Sequence, residues 1–276
     1  MTALSSTELL TEAPAGRHFA QMHKDAQALA EAVGVFVETG LRRGDAVIVI
    51  VPSIHIPLYL QRLKCNNMDL ENWRKSGQLT ILDSQEMLGR FMQGDMPVWE
   101  EFRAAVGQII ENAKMTGRAT TRVYGEMVSD LWRAGHTAAA IRLEEYWNEL
   151  ARQYQFCLFC GYQVDGLEAT SYADPLAEIG RTHSDMLITQ EDERFCAALD
   201  TASQDVLGIQ VSRMLTCGGC DDSTGEQRLS IGHQTMLWLQ RNMPTEMAKV
   251  LQRARQIYAN ELNAVPHRQK ASASGL

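Results

Sequence analysis

Apolar residues recur at three- and four-residue steps through Leu29, Ala32, Val33, Phe36 and Val37, which predicts a helix ending at Gly40, a suitable C-terminal stop. Val47 to Val51 is a continuous β-branched run, the pattern of a central strand in a parallel sheet. Pro52 and Pro57 bracket a turn, and Leu58, Leu60, Gln61 and Leu63 predict a helix beyond it. A second short strand is predicted at Leu79 to Leu82. Ser84 can cap a helix carrying Met87, Leu88 and Phe91, and Pro97 can start a long helix through Val106, Ile109 and Ile110.

From Thr121 to Tyr162 the pattern predicts a strand, two helices and a strand. The strands are Arg122 to Tyr124 and Phe156 to Tyr162, and Ala140, Leu143, Trp147, Leu150, Ala151 and Tyr154 form one apolar helical stripe between them. Strands alternating with helices predict a three-layer α/β domain with a mainly parallel sheet. From about Cys196 no strand pattern appears, and helices are predicted to Gln210, around Ser230–Arg241 and over Thr245–Asn260. The expected division is a flexible N-terminus (1–16), an α/β domain (17–195), a helical extension (196–263) and a disordered tail (264–276).

Composition narrows the function classes. A formal net charge of −8 supplies no basic field for nucleic acid or an anionic membrane surface. With no apolar run long enough for export or a membrane span, a cytoplasmic location is expected. Six cysteines without a secretion signal then read as thiols rather than a disulfide framework.

The order of several motifs resembles the MEDS family, sensory domains of bacterial and archaeal signalling proteins named for methanogens and methylotrophs. The residues that carry the resemblance are His18-Phe19 with Asp25, Gly40-Leu41-Arg42-Arg43-Gly44-Asp45, Ser76-Gly77-Gln78-Leu79 with Asp83, Phe91-Met92, Arg122 to Val128 with Leu131-Trp132, Leu143-Glu144, Trp147-Asn148 and Cys160-Gly161-Tyr162. Departures fall at Met22 and His23, where relatives carry a Tyr before an acidic pair, and at Asn67, where they carry Gly. The resemblance implies a RecA-like fold and the sensing of simple hydrocarbon derivatives. Working RecA-like folds place a glycine-rich loop with Lys between the first strand and its helix. Here that connection reads Val51-Pro52-Ser53-Ile54-His55-Ile56-Pro57, without Gly or Lys, so a degenerate P-loop and no nucleotide hydrolysis are expected.

Ligands of open α/β sheets bind at the carboxyl ends of strands, which selects Ser53, His55, Asp83, Ser84, Tyr124, Glu126 and Tyr162. Glu126 also reads as a helix-start carboxylate, and His55 as a surface or capping group. Trp132 and Trp147 can line an apolar pocket or fill the core, and Glu144 and Asn148, four apart, share a helix face. Cys157 and Cys160 sit on a strand whose alternation sends them to opposite faces, so the two Cys-x-x-Cys pairs are not expected to share a metal. Cys217 and Cys220, with two glycines between them, are redox candidates in a flexible loop. The reading is a non-enzymatic sensory module, with no cofactor or bound metal expected. It takes a small organic ligand or a signalling partner, relays its state through the helical extension and can self-associate through the C-terminal helices. Its rivals are a ligand-free interaction module, an enzyme retaining weak nucleotide chemistry, and a transcription regulator binding DNA through Arg228, Arg241, Lys249, Arg253 and Arg255.

Overall fold

The computed structural model describes residues 4–24, 26–64, 69–118, 120–172, 175–217 and 225–264, the side chains of 217 and 261–264 excepted. Its strands are β1 (His18–His23), β2 (Ala46–Val51), β3 (Leu79–Asp83), β4 (Met92–Gln93), β5 (Met96–Pro97), β6 (Thr121–Gly125), β7 (Cys157–Gln163) and β8 (Asp185–Met186). Six of them form one sheet in the order β3-β2-β6-β7-β1-β8, and every pairing in it is parallel. β4 and β5 make a separate antiparallel hairpin. Helices cover both faces, giving the expected three-layer α/β domain.

β2 and β6 are buried along their whole length, as strands covered on both faces require. One face packs Val47, Val49, Val51, Tyr124, Cys157 and Phe159 against Leu29, Val33, Phe36 and Val37 of helix Ala26–Arg43 and Tyr59 and Leu63 of helix Ile56–Lys64. Alternation turns Leu158, Cys160 and Tyr162 to the opposite face. There Cys160 and Tyr162 approach Glu144 of helix Thr137–Tyr154.

Two strands escape the hydrophobic pattern. β1 reads His-Phe-Ala-Gln-Met-His and is buried throughout, although half its residues are polar. β8 has two residues and pairs with β1 through Asp185 and Met186. Several boundaries also shift. Gly40 lies inside helix Ala26–Arg43, which turns out at Gly44 (φ +84°). A Cβ at Gly40 would stand 2.7 Å from Arg122 Cδ, so its small size makes room for a guanidinium. Asp83, not Ser84, caps helix Ser84–Leu88, and Pro97 lies in β5 ahead of the helix that starts at Trp99.

The segment expected to be flexible, 1–16, contains helix Ser6–Glu12. Ser5 and Glu8 form a reciprocal capping box at its start, and Leu9 is 1% exposed. Arg122 holds its other end, donating from Nη1 to Leu10 O (3.0 Å) and from Nη2 to Thr11 O (2.9 Å). The same guanidinium donates from Nε to Asp45 Oδ2 at 2.7 Å and lies over the Phe36 ring.

The chain divides into two compact units: 1–165 with 174–188 and 223–228, and 166–173 with 189–222 and 229–276. The division falls at Ile188 rather than Phe195, because helix Gln190–Leu207 belongs whole to the second unit. That unit is helical, with Gln190–Leu207, Val211–Cys217, Ile231–Asn242 and Pro244–Ala264. Met247, Val250, Leu251, Ala254 and Tyr258 of the last helix are all buried, and this helix packs along Gln190–Leu207. The tail 265–276 lies outside the described residues.

Candidate functional site

Two polar clusters lie in the α/β unit. The first is built at the carboxyl ends of β2, β3 and β6. Ser53, just past β2, donates from its backbone N and Oγ to Asp83 Oδ2 at 2.9 and 2.5 Å, while Asp83 Oδ1 accepts Glu86 N at 2.8 Å. Glu126, just past β6, donates its backbone N to Ile50 O at 2.9 Å. Glu126 is buried, and its carboxylate makes no capping hydrogen bond to the helix it begins. Oε2 meets His55 Nδ1 at 2.7 Å, and Oε1 accepts the hydroxyls of Tyr59 (2.5 Å) and Tyr124 (2.9 Å). Gly161 makes room for this network, since a Cβ there would come within 2.8 Å of the Tyr124 hydroxyl oxygen.

Burial alone would raise the Glu126 carboxyl, but hydrogen bonds from His55 and Tyr59 hold it below the usual carboxylate value. The bond to Glu126 raises His55 against the opposing effect of burial. Burial pushes both phenols up, so Tyr59 and Tyr124 remain hydrogen-bond donors. Asp130, one turn along the helix, accepts Ser84 Oγ at 2.5 Å and Gln85 Nε2 at 3.0 Å.

The second cluster lies beneath helix Thr137–Tyr154. Glu144 is fully buried, with Oε2 3.1 Å from His18 Nε2 and Oε1 3.3 Å from His183 Nε2. Tyr162 donates its hydroxyl to Oε1 at 2.6 Å. Cys160 Sγ lies 3.4 Å from His18 Nε2 and 3.8 Å from Glu144 Oε2. Asn148 fixes the His18 ring: its Nδ2 donates to Thr182 O at 2.7 Å, leaving Oδ1 to accept His18 Nδ1–H at 3.0 Å. His183 Nδ1–H likewise donates to Ile179 O at 2.6 Å. One ligand-type atom from each of His18, Glu144, Cys160 and His183 falls within a group no more than 4.8 Å across. Burial would raise Glu144, but the His183 and His18 charges hold it well below the ordinary value. Burial lowers His18 and raises the Cys160 thiol.

The family model for the methanogen/methylotroph, DcmR sensory domain (MEDS) matches residues 17–184, more than half of the chain. The chain belongs to the MEDS family. A comparison with curated proteins gives no match. The matched range contains all members of both clusters, and the MEDS domain therefore carries the candidate chemistry, with His18 and His183 near its two ends.

Of the residues singled out in the sequence, the MEDS domain brings Ser53, His55, Tyr124 and Glu126 to the first cluster and Glu144, Asn148 and Tyr162 to the second. Trp132 sets its ring edge-on to Tyr162, with centroids 5.9 Å apart. Trp147, at 1% exposure, packs between Phe102 and Phe156 and belongs to the core. Tyr59 and His183 escaped sequence reasoning, and His18 entered it only through the family pattern. Tyr59 has a signal in its position one turn after His55, whereas the two histidines are joined only by the fold. Cys157 and Cys160 do face opposite sides of β7, and Cys160 joins the Glu144 cluster. Cys220 and the side chain of Cys217 lie outside the described residues, as do Asp25 and Asn67 of the family pattern.

Two basic residues of the last helix are engaged locally. Arg253 pairs with Asp205 at 2.8 Å, and Arg255 pairs with Glu168 at 3.0 Å and donates to Leu167 O. Among the described residues, no helix is long and apolar enough to cross a membrane.

Proposed function

We propose that this MEDS protein is a cytoplasmic sensory module that binds a small organic molecule of the simple hydrocarbon-derivative class at the Ser53–His55–Glu126 face, without hydrolysing nucleotide. Family membership supports the sensory role, and the Glu126 network supports the location. The hydrogen-bonded Glu126 carboxylate lies behind His55, whose side chain is 15% exposed, beside Ile54, which is 79% exposed. An exposed apolar side chain next to a polarised imidazole suits an amphiphilic ligand with one hydrogen-bonding group.

A RecA-like ancestry would put a phosphate loop between β2 and helix Ile56–Lys64. In this chain the backbone N of Ser53 donates to Asp83 and that of His55 to Pro52 O, and the carboxylates of Asp83 and Glu126 stand nearby. Amides already engaged, with negative charge around them, do not suit a triphosphate. The apolar seam behind this face, among Val33, Val51, Tyr59 and Leu63, encloses about 10 Å³, room for about one water. A ligand therefore sits at the mouth or displaces helix Ile56–Lys64, and such a displacement is our proposed first step of relay to the helical extension.

The test is a panel of short alcohols, aldehydes, amines and halogenated hydrocarbons followed by the NMR resonances of His55 and Tyr59, in the wild type and in Glu126→Gln. Saturable shifts in the wild type that weaken in the variant support the assignment. No shift with any compound, alongside stoichiometric capture of a purified signalling protein, replaces it with a ligand-free interaction module.

A further inference from the structure

The second cluster has the donor set and spacing of a closed metal site. Both histidines spend Nδ1–H on carbonyl oxygens, His18 on Asn148 Oδ1 and His183 on Ile179 O, so both Nε2 atoms face inward and offer lone pairs to a cation when deprotonated. That arrangement fixes the metal-binding tautomer of a histidine ligand. Inside they meet the two oxygens of one carboxylate and a thiol sulfur, all electron-rich atoms. His183 Nε2 is buried without a hydrogen bond, although Glu144 Oε1 is 3.3 Å away.

Spacing lies close to that of a tetrahedral site. A tetrahedral ion with bonds of about 2.0 Å to N or O and about 2.3 Å to S holds its ligands about 3.3–3.7 Å apart. The observed contacts are 3.1 Å (His18 to Glu144 Oε2), 3.3 Å (His183 to Glu144 Oε1), 3.4 Å (His18 to Cys160) and 3.8 Å (Cys160 to Glu144 Oε2), and one ligand atom from each residue falls within 4.8 Å of the others, so a bound ion draws the widest pair together. Charge also closes: a divalent cation, one carboxylate, one thiolate and two neutral imidazoles sum to zero, as a site with side chains 0–3% exposed requires.

We propose that His18 Nε2, Glu144, Cys160 Sγ and His183 Nε2 bind one Zn²⁺ ion in a closed tetrahedral structural site. On binding, the Cys160 S–H bond breaks, its proton leaves to solvent and the sulfur lone pair forms the Zn–S bond, with no change of oxidation state. The ion ties together β1, helix Thr137–Tyr154, β7 and the segment leading into β8. This staples the two-residue edge strand to the sheet. Tyr162 and Asn148 orient the ligands and do not bind the metal.

The full-length chain, stripped with a chelator and refilled with Zn²⁺ or Co²⁺ alone, provides the test. The expected result is one equivalent of zinc by elemental analysis, and a cobalt spectrum with tetrahedral ligand-field bands and a thiolate-to-cobalt charge-transfer band. The charge-transfer band disappears in Cys160→Ser and stoichiometric binding is lost in His183→Gln, whereas Cys217→Ser/Cys220→Ser keeps both. Asn148→Ala and Tyr162→Phe weaken affinity about 10–100-fold. The wild-type cobalt spectrum reads the site even if a ligand variant fails to fold. The proposal is overturned if the folded wild type takes up no stoichiometric metal, if its cobalt spectrum lacks thiolate character, or if the Cys217/Cys220 variant loses the ion.

Discussion

His55 Nδ1 stands 2.7 Å from Glu126 Oε2, and the carboxylate is the less exposed partner, 3% against 15% for the imidazole. The pair is tied at the buried end and open at the other, so its protonation responds to solvent while its geometry is held by Tyr59 and Tyr124.

A pH window follows. His55 is raised by its bond to Glu126, with Asp130 adding to the rise and burial and Arg133 opposing it. A raised histidine contributes stability that is full below its unfolded value of about 6.5 and is lost as pH rises through the higher folded value. Glu126 is lowered, so its contribution is full above the unfolded value of about 4.3 and is lost as pH falls through the depressed one. Denaturant unfolding should show stability falling as pH rises above about 6.5, a loss that His55→Gln removes. An equal loss in the variant would mean that another group titrates.

Arg122 is the hinge of the N-terminal packing, because its guanidinium joins Asp45, helix Ser6–Glu12 and the space over Gly40. Asp45→Asn leaves a buried cation without its counter-charge and should cost about 3–5 kcal/mol. Gly40→Ala forces the guanidinium aside at about 1–3 kcal/mol. Urea unfolding measures both, and hydrogen exchange should show helix Ser6–Glu12 losing protection first. Full protection of that helix in both variants would refute the role given to Arg122.

How much of this was legible in sequence depends on what each element buries. β2 and β7 announce themselves because their runs are apolar on both faces, and β6 shows through Val123 and Tyr124 although Thr121 and Arg122 beside them are buried polar side chains. β1 does not, because His18, Gln21 and His23 are buried polar side chains on both faces and break the apolar run that a doubly covered strand shows. The carboxyl-end rule reached Ser53, His55, Tyr124 and Glu126, since a strand end fixes a place in space. Of the Glu144 cluster it reached only Tyr162, because the other members meet beneath a helix. Glu144 and Asn148 could be paired by helical spacing, but only the parallel pairing of β1 with β7 brings His18 to them.

Trp147 should behave as core. Its ring sits 5.2 Å from Phe102 and 6.0 Å from Phe156 between centroids, and Trp147→Ala should cost about 3–5 kcal/mol in chemical denaturation. A loss well below about 1 kcal/mol would contradict the packing shown.

Magnesium-ATP turnover should be absent. The Ser53 amide and hydroxyl are taken by Asp83, and no Lys lies between Val51 and Pro57. A steady-state phosphate-release assay checks this. Activity above a denatured control that falls in Ser53→Ala or Glu126→Gln would make the chain an enzyme and end the sensory reading without hydrolysis.

The apolar stripe of helix Pro244–Ala264 decides how the extension can be used. An exposed stripe would invite a second copy, yet Met247, Val250, Leu251, Ala254 and Tyr258 are buried against neighbours within the helical unit. Arg253–Asp205 and the Tyr258 hydroxyl bond to Glu191 (3.2 Å) fix the register between this helix and Gln190–Leu207. Val250 is 0% exposed, so Val250→Asp buries an unpaired charge and should unfold the helical unit. Circular dichroism should then show lost helix at every protein concentration, and light scattering should show no dimer in the wild type that the variant dissolves. A wild-type dimer converted by Val250→Asp into a monomer of unchanged helicity would mean that the stripe is an interface, and the packing within the unit would have to open to form it.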